Sequence, residues 1–122
     1  MAEMTTNLGL DALWAYTRSL PPLDGELMTP EGKVKDKVKI TLATMGAYYC
    51  MPATGGFGNS GIPDILCCYK GRFIAIECKT GNNKPTRLQQ AHLSEIELQG
   101  GIAFVINEDN VKMLRQMIEA NV

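Results

Sequence analysis

The sequence lacks the features that mark membrane-spanning and strongly charged proteins. No apolar run in its 122 residues reaches the roughly 18 residues that a membrane-spanning helix needs. Its 12 Lys and Arg residues nearly balance 13 Asp and Glu residues, so the net charge of −1 provides no overall attraction to nucleic acid or to a membrane surface. The first ten residues, MAEMTTNLGL, are acidic and polar and do not resemble a signal peptide. We therefore expect a cytoplasmic protein, in which a local basic face or a bound metal would have to attract any nucleic acid.

The chain is also poor in the side chains of common catalytic and zinc sites. His92 is its only histidine, so a histidine-based triad or general base has little support. No phosphate-binding Gly-x-x-x-x-Gly-Lys motif is present. Neighbouring residues of a strand point to opposite faces, which separates Cys67 from Cys68, and no zinc site is expected. None of the cysteines forms a Cys-x-x-Cys pair, and we predict small buried side chains rather than disulfides for Cys50, Cys67, Cys68 and Cys78.

Length and periodicity predict one α/β (α+β) domain, built on a mixed sheet with helices packed against it. Thr29, Pro30 and Glu31 form a helix start, with a capping threonine, a proline in the first turn and an early acid. Thr86 and Gln89 match a capping box and begin a second helix. The predicted elements are a helix from 30 to about 45, strands at 47–51, 63–69 and 72–79, a helix from 86 to the glycines at 100–101, a covered strand at 102–106, and a last helix, capped by Asp109 or Asn110, to about 120.

Residues 1–28 form a separate segment with few sequence signals. Leu10, Leu13, Trp14 and Thr17 fit a short amphipathic helix, which the run LPPLDG at 20–25 ends. We predict an arm or docking segment at 1–28 and place the domain itself at 29–122. The run ATGGFGNSG at 53–61 is rich in glycine and predicts a mobile loop beside the strand that follows it.

The tight turn predicted at Lys70 and Gly71 fixes which residues of the two flanking strands face each other. Counting back from that turn, Asp64 lies across from Glu77, with Cβ atoms roughly 4.5–5.5 Å apart. Lys79 lies on the same face, two residues beyond Glu77. Like charges in direct opposition destabilise a sheet. Two carboxylates at this separation suit Mg²⁺, which binds hard oxygen ligands, so we predict a metal site at the end of the hairpin.

A surface ion pair at a frayed strand end is the simpler interpretation of Glu-x-Lys alone, with Asp64 capping a turn after Pro63. We prefer the metal site, because Pro-Asp, a hairpin and an apolar strand leading into Glu-x-Lys form a far more specific combination. Glu31 and Gln89 lie on the inward stripes of their two helices, which turns both toward the sheet. The other face of the hairpin is apolar and predicts core: Ile65, Cys67, Ile74, Ile76 and Cys78.

Four motifs carry a resemblance to a known family: GIPDIL at 61–66, AIECK at 75–79, Thr86-x-x-Gln89 and the glycine pair at 100–101. Together they resemble the viral-type, stand-alone VRR-NUC domain of the PD-(D/E)xK nuclease superfamily, related to Holliday-junction resolvases, over about residues 29–107. The resemblance implies a restriction-endonuclease-like αβββαβ core and DNA cleavage that depends on Mg²⁺ or Mn²⁺. It also implies a homodimer that acts on branched DNA such as a four-way junction, in a bacteriophage protein of the host-cell cytoplasm.

Carried over by position, the resemblance assigns roles to the polar residues at the hairpin end. Asp64 and Glu77 would hold the metal, helped by the backbone carbonyl of Cys78. Lys79 would orient or activate the attacking water and offset phosphate charge. Gln89 would position Lys79 or the substrate.

Glu31 matches the acid of the family's first helix, which completes the metal site. Gly32 directly after it is a poor helix former, so Glu3 and Glu26 stay open as substitutes. Contact with DNA must come from local positive side chains, for each of which a solvated surface charge is the simpler interpretation. The candidates are Lys33, Lys37, Lys70, Arg72, Lys84 and Arg87.

Three other functions stay open: a site-specific or less specific nuclease on duplex or single-stranded DNA, a non-catalytic DNA-binding module on the same fold, and a metal-dependent enzyme acting on another phosphate substrate such as RNA. The complete set of Asp64, Glu77 and Lys79 argues against the binding module, since degenerate copies usually lose one member. A two-fold dimer would suit a four-way junction, because paired cuts need two active sites. The apolar residues of the 1–28 segment are candidates for the contact between the two subunits of such a dimer.

Overall fold

A computed structural model describes residues 29–53 and 60–122 of the chain. The predicted order of helix, three strands, helix, strand and helix is confirmed. The arm predicted at 1–28, with the alternative acids Glu3 and Glu26, lies outside the described residues, as does most of the predicted loop, at 54–59. Within the described part, no helix is both long and apolar enough to cross a membrane. The elements are α1 Pro30–Met45, β1 Tyr48–Cys50, β2 Ile65–Tyr69, β3 Arg72–Cys78, α2 Arg87–Leu98, β4 Ile102–Ile106, a 3₁₀ helix Val111–Met113 and α3 Leu114–Asn121.

Helix α1 forms where its sequence predicts. The Thr29 hydroxyl oxygen accepts a hydrogen bond from the N–H of Gly32 at 2.9 Å, and Pro30 occupies the first turn. The helix ends at Gly46, whose φ of 77° lies in the left-handed region that favours glycine. Val34, Val38 and Leu42, at helical spacing, are buried on its inner face.

The four strands form one mixed sheet in the order β1-β2-β3-β4. β1, β2 and β3 are antiparallel neighbours, whereas β3 and β4 are parallel. Lys70 and Gly71 have φ values of 50° and 78°, and a two-residue type I′ turn requires positive φ at both positions. The predicted register is confirmed along the whole hairpin, up to the pair of Ile65 and Ile76.

The main core lies between one face of the sheet and helices α1 and α3. Helix α2 connects β3 to β4, and Leu93 of this helix and Ala75 of β3 are buried outside that core cluster. In β4, Ile102 and Ile106 are buried but the three residues between them are only half-buried. The apolar run therefore overpredicts the burial of β4, because in the described part of the chain β4 is the last strand of the sheet. All residues predicted for the inner face of the hairpin are buried in the main core: Ile65, Cys67, Ile74, Ile76 and Cys78.

The cysteines divide according to strand face. Cys67 and Cys78 are buried in the main core, whereas Cys50 and Cys68 are exposed. The prediction of four buried cysteines is therefore wrong. Cys68 directly follows Cys67 in β2, and side-chain alternation turns it to the opposite face of the sheet.

The last helix does not begin as predicted. Asn110 Oδ1 accepts a hydrogen bond from the N–H of Asn107 at 2.8 Å, and Asn110 Nδ2 donates to the carbonyl of Val105 at 3.1 Å. The Asn110 side chain therefore stabilises the loop after β4 and makes no capping bond to the helix. The chain passes through a 3₁₀ turn before α3 starts at Leu114, so the predicted cap at Asp109 or Asn110 is wrong.

Candidate active site

The hairpin brings Asp64 and Glu77 together at the end away from its turn. Asp64 directly precedes β2, one position beyond the pair of Ile65 and Ile76, and Glu77 is the next residue of β3. Asp64 Oδ2 accepts a hydrogen bond from the backbone N–H of Cys78 at 2.8 Å. This bond fixes the Asp64 carboxylate against the end of β3, beside the other acid. The predicted proximity of the two carboxylates is confirmed.

Glu77 is a buried carboxylate with an unsatisfied oxygen. The residue is only 2% exposed, and within the described residues Glu77 Oε1 has no hydrogen-bond partner. Burial, reinforced by the neighbouring Asp64 charge, raises the pKa of Glu77 from its usual 4.5 to about 7, although Lys79 acts in the opposite direction. A buried charge without full pairing costs free energy. The carboxylate oxygens of Glu77, next to those of Asp64, fit the ligand chemistry of a divalent cation.

Lys79 is held close to Glu77 by its main chain and its side chain. Its backbone N–H donates to the carbonyl of Ile106 at 2.9 Å, which ties it to the end of β4. Its Nζ lies 3.4 Å from Glu77 Oε2, and its side chain is 14% exposed. A positive charge therefore stands at the end of β3 next to the two acids, as the Glu-x-Lys spacing predicts.

Helix α1 supplies two charged groups to the site. Lys35 Nζ lies 3.7 Å from Glu31 Oε2 and 3.6 Å from Asp64 Oδ1. Glu31 is the more open group, with a side chain 43% exposed. Across residues 29–53 and 60–122, no three acidic, histidine or cysteine side chains form a group that could hold a metal ion. Glu31 is therefore not gathered with Asp64 and Glu77 around one point, and its part as a ligand stays a prediction.

Lys35 is the site residue that the sequence analysis missed. Its spacing was the available signal, because a lysine four residues after Glu31 can reach that acid on the surface of a helix. The contact with Asp64 has no sequence signal, since it depends on how α1 packs against the hairpin.

Gln89 acts in the structure as part of a helix cap. Its Oε1 accepts from the N–H of Thr86 at 2.9 Å, and its own N–H donates to Thr86 Oγ1 at 3.2 Å. The predicted capping box at the start of α2 is confirmed. The predicted role of Gln89 toward Lys79 or a substrate is not part of this arrangement and stays a prediction.

The start of α2 also positions the segment that leads into Asp64. A Cβ atom on Gly61 would lie 2.8 Å from Leu88 Cγ and 3.1 Å from the backbone nitrogen of Gln89. The half-buried His92 adds a second tie, because its Nε2 lies 3.0 Å from the carbonyl oxygen of Ser60. Only glycine permits this approach, which makes the Gly61 of the GIPDIL motif a packing requirement.

We expect Gly61→Ala to lower the free energy of unfolding by about 2–4 kcal/mol, because it combines a left-handed backbone with a clash. Gly61 has a φ of 82°, and Gly46, at 77°, is a matched control with nothing within 4 Å of its added Cβ. Gly46→Ala should cost only the backbone part, about 1 kcal/mol. Urea denaturation of the two variants measures the difference, and equal losses would contradict the packing role of Gly61.

The candidate DNA-contact residues fall into three groups. Lys33 and Lys37 line a cavity of ≈ 470 Å³ with Pro30, Val34, Thr80, Gly81 and Glu108. This cavity adjoins the site, because Thr80 directly follows Lys79 and Pro30 directly precedes Glu31. Lys84 and Arg87 are exposed on the loop before α2 and on its first turn.

Lys70 and Arg72 lie at the other end of the hairpin, at its turn. Lys70 Nζ is 3.5 Å from Glu119 Oε2, and Arg72 donates to the carbonyls of Asn121 and Gly100 at 3.1 and 3.2 Å. Arg72 and Glu77 are separated along β3 by about 16 Å at the usual rise per residue. These two side chains stabilise the C-terminal helix and the turn after α2, and their contact with DNA stays a prediction.

The raised pKa of Glu77 predicts that the metal-free protein loses stability as the pH rises. The folded state holds the Glu77 proton up to about pH 7, whereas an unfolded glutamate releases it near pH 4.5. The free energy of unfolding should therefore fall between these two values, by up to about 3 kcal/mol. Urea denaturation in chelator from pH 4.5 to 8 tests this, with Glu77→Gln expected to flatten the slope. If the free energy of unfolding of wild type varied with pH as little as that of the variant, the raised pKa of Glu77 would be contradicted.

Comparison with known proteins supports the fold. No family model and no curated protein matches the chain. A solved structure described as "VRR_NUC domain" matches with a TM-score of 0.64 and 26% sequence identity, over 77% of this chain and 99% of that one. The predicted resemblance to a VRR-NUC domain and the predicted restriction-endonuclease-like core are confirmed.

Proposed function

We propose that this protein, whose chain has the fold of a VRR-NUC domain, is a nuclease that hydrolyses phosphodiester bonds of DNA with a divalent metal. One observation carries the proposal: the buried Glu77 carboxylate keeps an oxygen without a partner among the described residues, next to the Asp64 carboxylate. Lys79 and Lys35 offset part of the charge of this pair, but a buried carboxylate oxygen without a partner still costs free energy. A divalent cation would satisfy both acids.

Asp64 and Glu77 are the residues that would hold Mg²⁺ or Mn²⁺, with the backbone carbonyl of Cys78 as a further oxygen ligand. Their oxygens fit these hard cations, whereas the buried thiol of Cys78 does not compete, because burial raises its pKa. The metal would supply a Lewis acid for a phosphoryl oxygen and lower the pKa of bound water.

Lys79 would act on the substrate as a fixed positive charge. Its ammonium stands 3.4 Å from Glu77 Oε2, and its side chain is partly exposed beside the acids. There it would hold the attacking water near the phosphorus and offset the negative charge that develops on the phosphate. The tie of its backbone to β4 keeps that charge in place.

Branched DNA bound by a homodimer is the substrate and assembly that we propose. The overall charge is slightly negative, so contact with phosphates would fall to local lysines. Lys33 and Lys37 are best placed for one strand, because the cavity that they line also includes Thr80, the residue that follows Lys79. Binding through several phosphate contacts should weaken steeply as salt is added.

The deciding experiment is a cleavage assay on a labelled four-way junction, with linear duplex DNA, single-stranded DNA and RNA as parallel substrates. Each is incubated with Mg²⁺, with Mn²⁺ or with chelator. Paired metal-dependent nicks in the junction alone support the full proposal. Metal-dependent cutting of every DNA keeps the nuclease and removes the branch specificity. Binding without cleavage under any metal would favour a DNA-binding module and overturn the proposal.

A further inference from the structure

Lys35 is the side chain of α1 that enters the acid cluster, and nothing in the proposed chemistry uses it. Its ammonium group lies within 4 Å of two carboxylates from different elements, Glu31 of α1 and Asp64 at the start of β2. The lysine and Asp64 side chains are each only 21% exposed. An ion pair this sheltered is screened less by salt than one on an open surface.

The charges around Lys35 explain why it stays there. The carboxylates of Asp64 and Glu31, at 3.6 and 3.7 Å from its ammonium, attract it from two sides. Lys35 therefore places a positive charge between two acids, Glu31 and Asp64, and Asp64 in turn lies beside the buried Glu77. In the metal-free protein this charge offsets part of their mutual repulsion.

A divalent cation and the Lys35 ammonium compete for the same carboxylate. Asp64 Oδ2 is already bound to the N–H of Cys78, and Asp64 Oδ1 faces Lys35. A metal bound to Asp64 would stand within a few ångströms of the ammonium, and two positive charges at such a distance repel each other strongly. The Lys35 ammonium can then pair with Glu31 alone, because Glu31 lies one helical turn before it on the same helix.

We propose that Lys35 is the resident counter-ion of the acid cluster, a positioning residue that the metal displaces from Asp64 and that thereby lowers the metal affinity of the site. The inference depends on the proposed function, since it assumes that Asp64 and Glu77 bind the metal. It also gives Glu31 a role other than that of a direct metal ligand. When the metal binds, Glu31 forms the ion pair that keeps the Lys35 ammonium away from Asp64.

The test measures metal binding rather than cleavage. Mn²⁺ alone is titrated into the full chain by isothermal titration calorimetry, for wild type, Lys35→Met and Lys35→Arg. Lys112→Met is the matched control, because it removes the same charge from an exposed position on the 3₁₀ helix. Lys35→Met should bind Mn²⁺ at least about tenfold more tightly than wild type, from loss of the nearby charge. Lys35→Arg and Lys112→Met should match wild type.

Thermal unfolding adds a readout that a purely structural lysine would not produce. In chelator, Lys35→Met should melt below wild type, because the acids have lost their counter-ion. With saturating Mn²⁺ the variant should gain more in melting temperature than wild type does, since ligand binding stabilises in proportion to affinity. Lys35→Gln is the second variant, and it should likewise melt below wild type in chelator and gain more in melting temperature with Mn²⁺.

The outcomes separate the inference from the function on which it depends. Unchanged or weaker Mn²⁺ binding by Lys35→Met, with wild type binding normally, overturns the counter-ion role and leaves the nuclease proposal intact. An equal gain in Mn²⁺ affinity in Lys112→Met would show that the effect comes from net charge, and would also overturn the counter-ion role. Absence of Mn²⁺ binding by the wild type would remove the metal site itself, and the inference with it.

Discussion

Glu77→Gln should reduce DNA cleavage by at least about a thousandfold and yet make the metal-free protein more stable at pH 8. The amide keeps the shape of the side chain but removes the charge that would bind the metal, and loss of a metal ligand removes the main electrostatic catalyst. The same change removes a buried charge whose one ion partner among residues 29–53 and 60–122 is Lys79. Because the folded state of wild type disfavours that charge at pH 8, the free energy of unfolding should rise by about 1–3 kcal/mol.

Two measurements on the same protein samples check both effects. Single-turnover cleavage in Mg²⁺ gives the loss of activity, and urea denaturation in chelator gives the stability. Glu97→Gln is the matched control, since it makes the same chemical change at an exposed position of α2 and should alter neither quantity. Retention of wild-type cleavage by Glu77→Gln would remove Glu77 from the active site.

Lys79→Met should also reduce cleavage by at least about a hundredfold, but without loss of metal binding. Its ammonium contacts Glu77 and would act on the water and the phosphate, whereas Asp64 and Glu77 would hold the metal. Removing the positive charge beside these acids should leave Mn²⁺ affinity unchanged or higher. The two variants thus differ in kind: Glu77→Gln loses metal and cleavage together, and Lys79→Met loses cleavage alone.

Calorimetric titration with Mn²⁺ and single-turnover cleavage separate these cases. Lys112→Met again serves as the control for the loss of one positive charge at a distance. Weaker Mn²⁺ binding in Lys79→Met, in proportion to its loss of cleavage, would show that Lys79 supports the metal site instead of the substrate. Full activity in the variant would exclude any catalytic part for it.

Local signals made the hairpin and the helix starts predictable from sequence. The turn at Lys70 and Gly71 fixes the register by itself, so the proximity of Asp64 and Glu77 follows from counting residues. The caps at Thr29 and Thr86 likewise depend on residues within one turn of the helix start. Where a short stretch of chain determines the geometry, the sequence was sufficient.

Predictions failed where distant segments pack together, or where one side chain could form either of two local arrangements. The exposure of Cys50 and Cys68 depends on which part of the sheet face is covered, a property that strand alternation alone does not give. Asn110 has the chemistry of a helix cap but bonds to Asn107 and Val105 instead. The approach of Lys35 to Asp64 joins a helix to the start of a strand. The contact of Lys35 with Asp64 has no local sequence signature, whereas the Asn110 bonds are local and compete with the helix cap that the same side chain could form.

The short turn between β2 and β3 has a kinetic consequence. A two-residue connection costs little loop-closure entropy, and hairpins form in about 1–10 μs, whereas β4 reaches β3 only after the crossover through α2. The two acids should therefore meet in an early hairpin, before the helices dock. Their repulsion then acts on the folding barrier, so acidic solution or divalent ions should accelerate folding more than they retard unfolding.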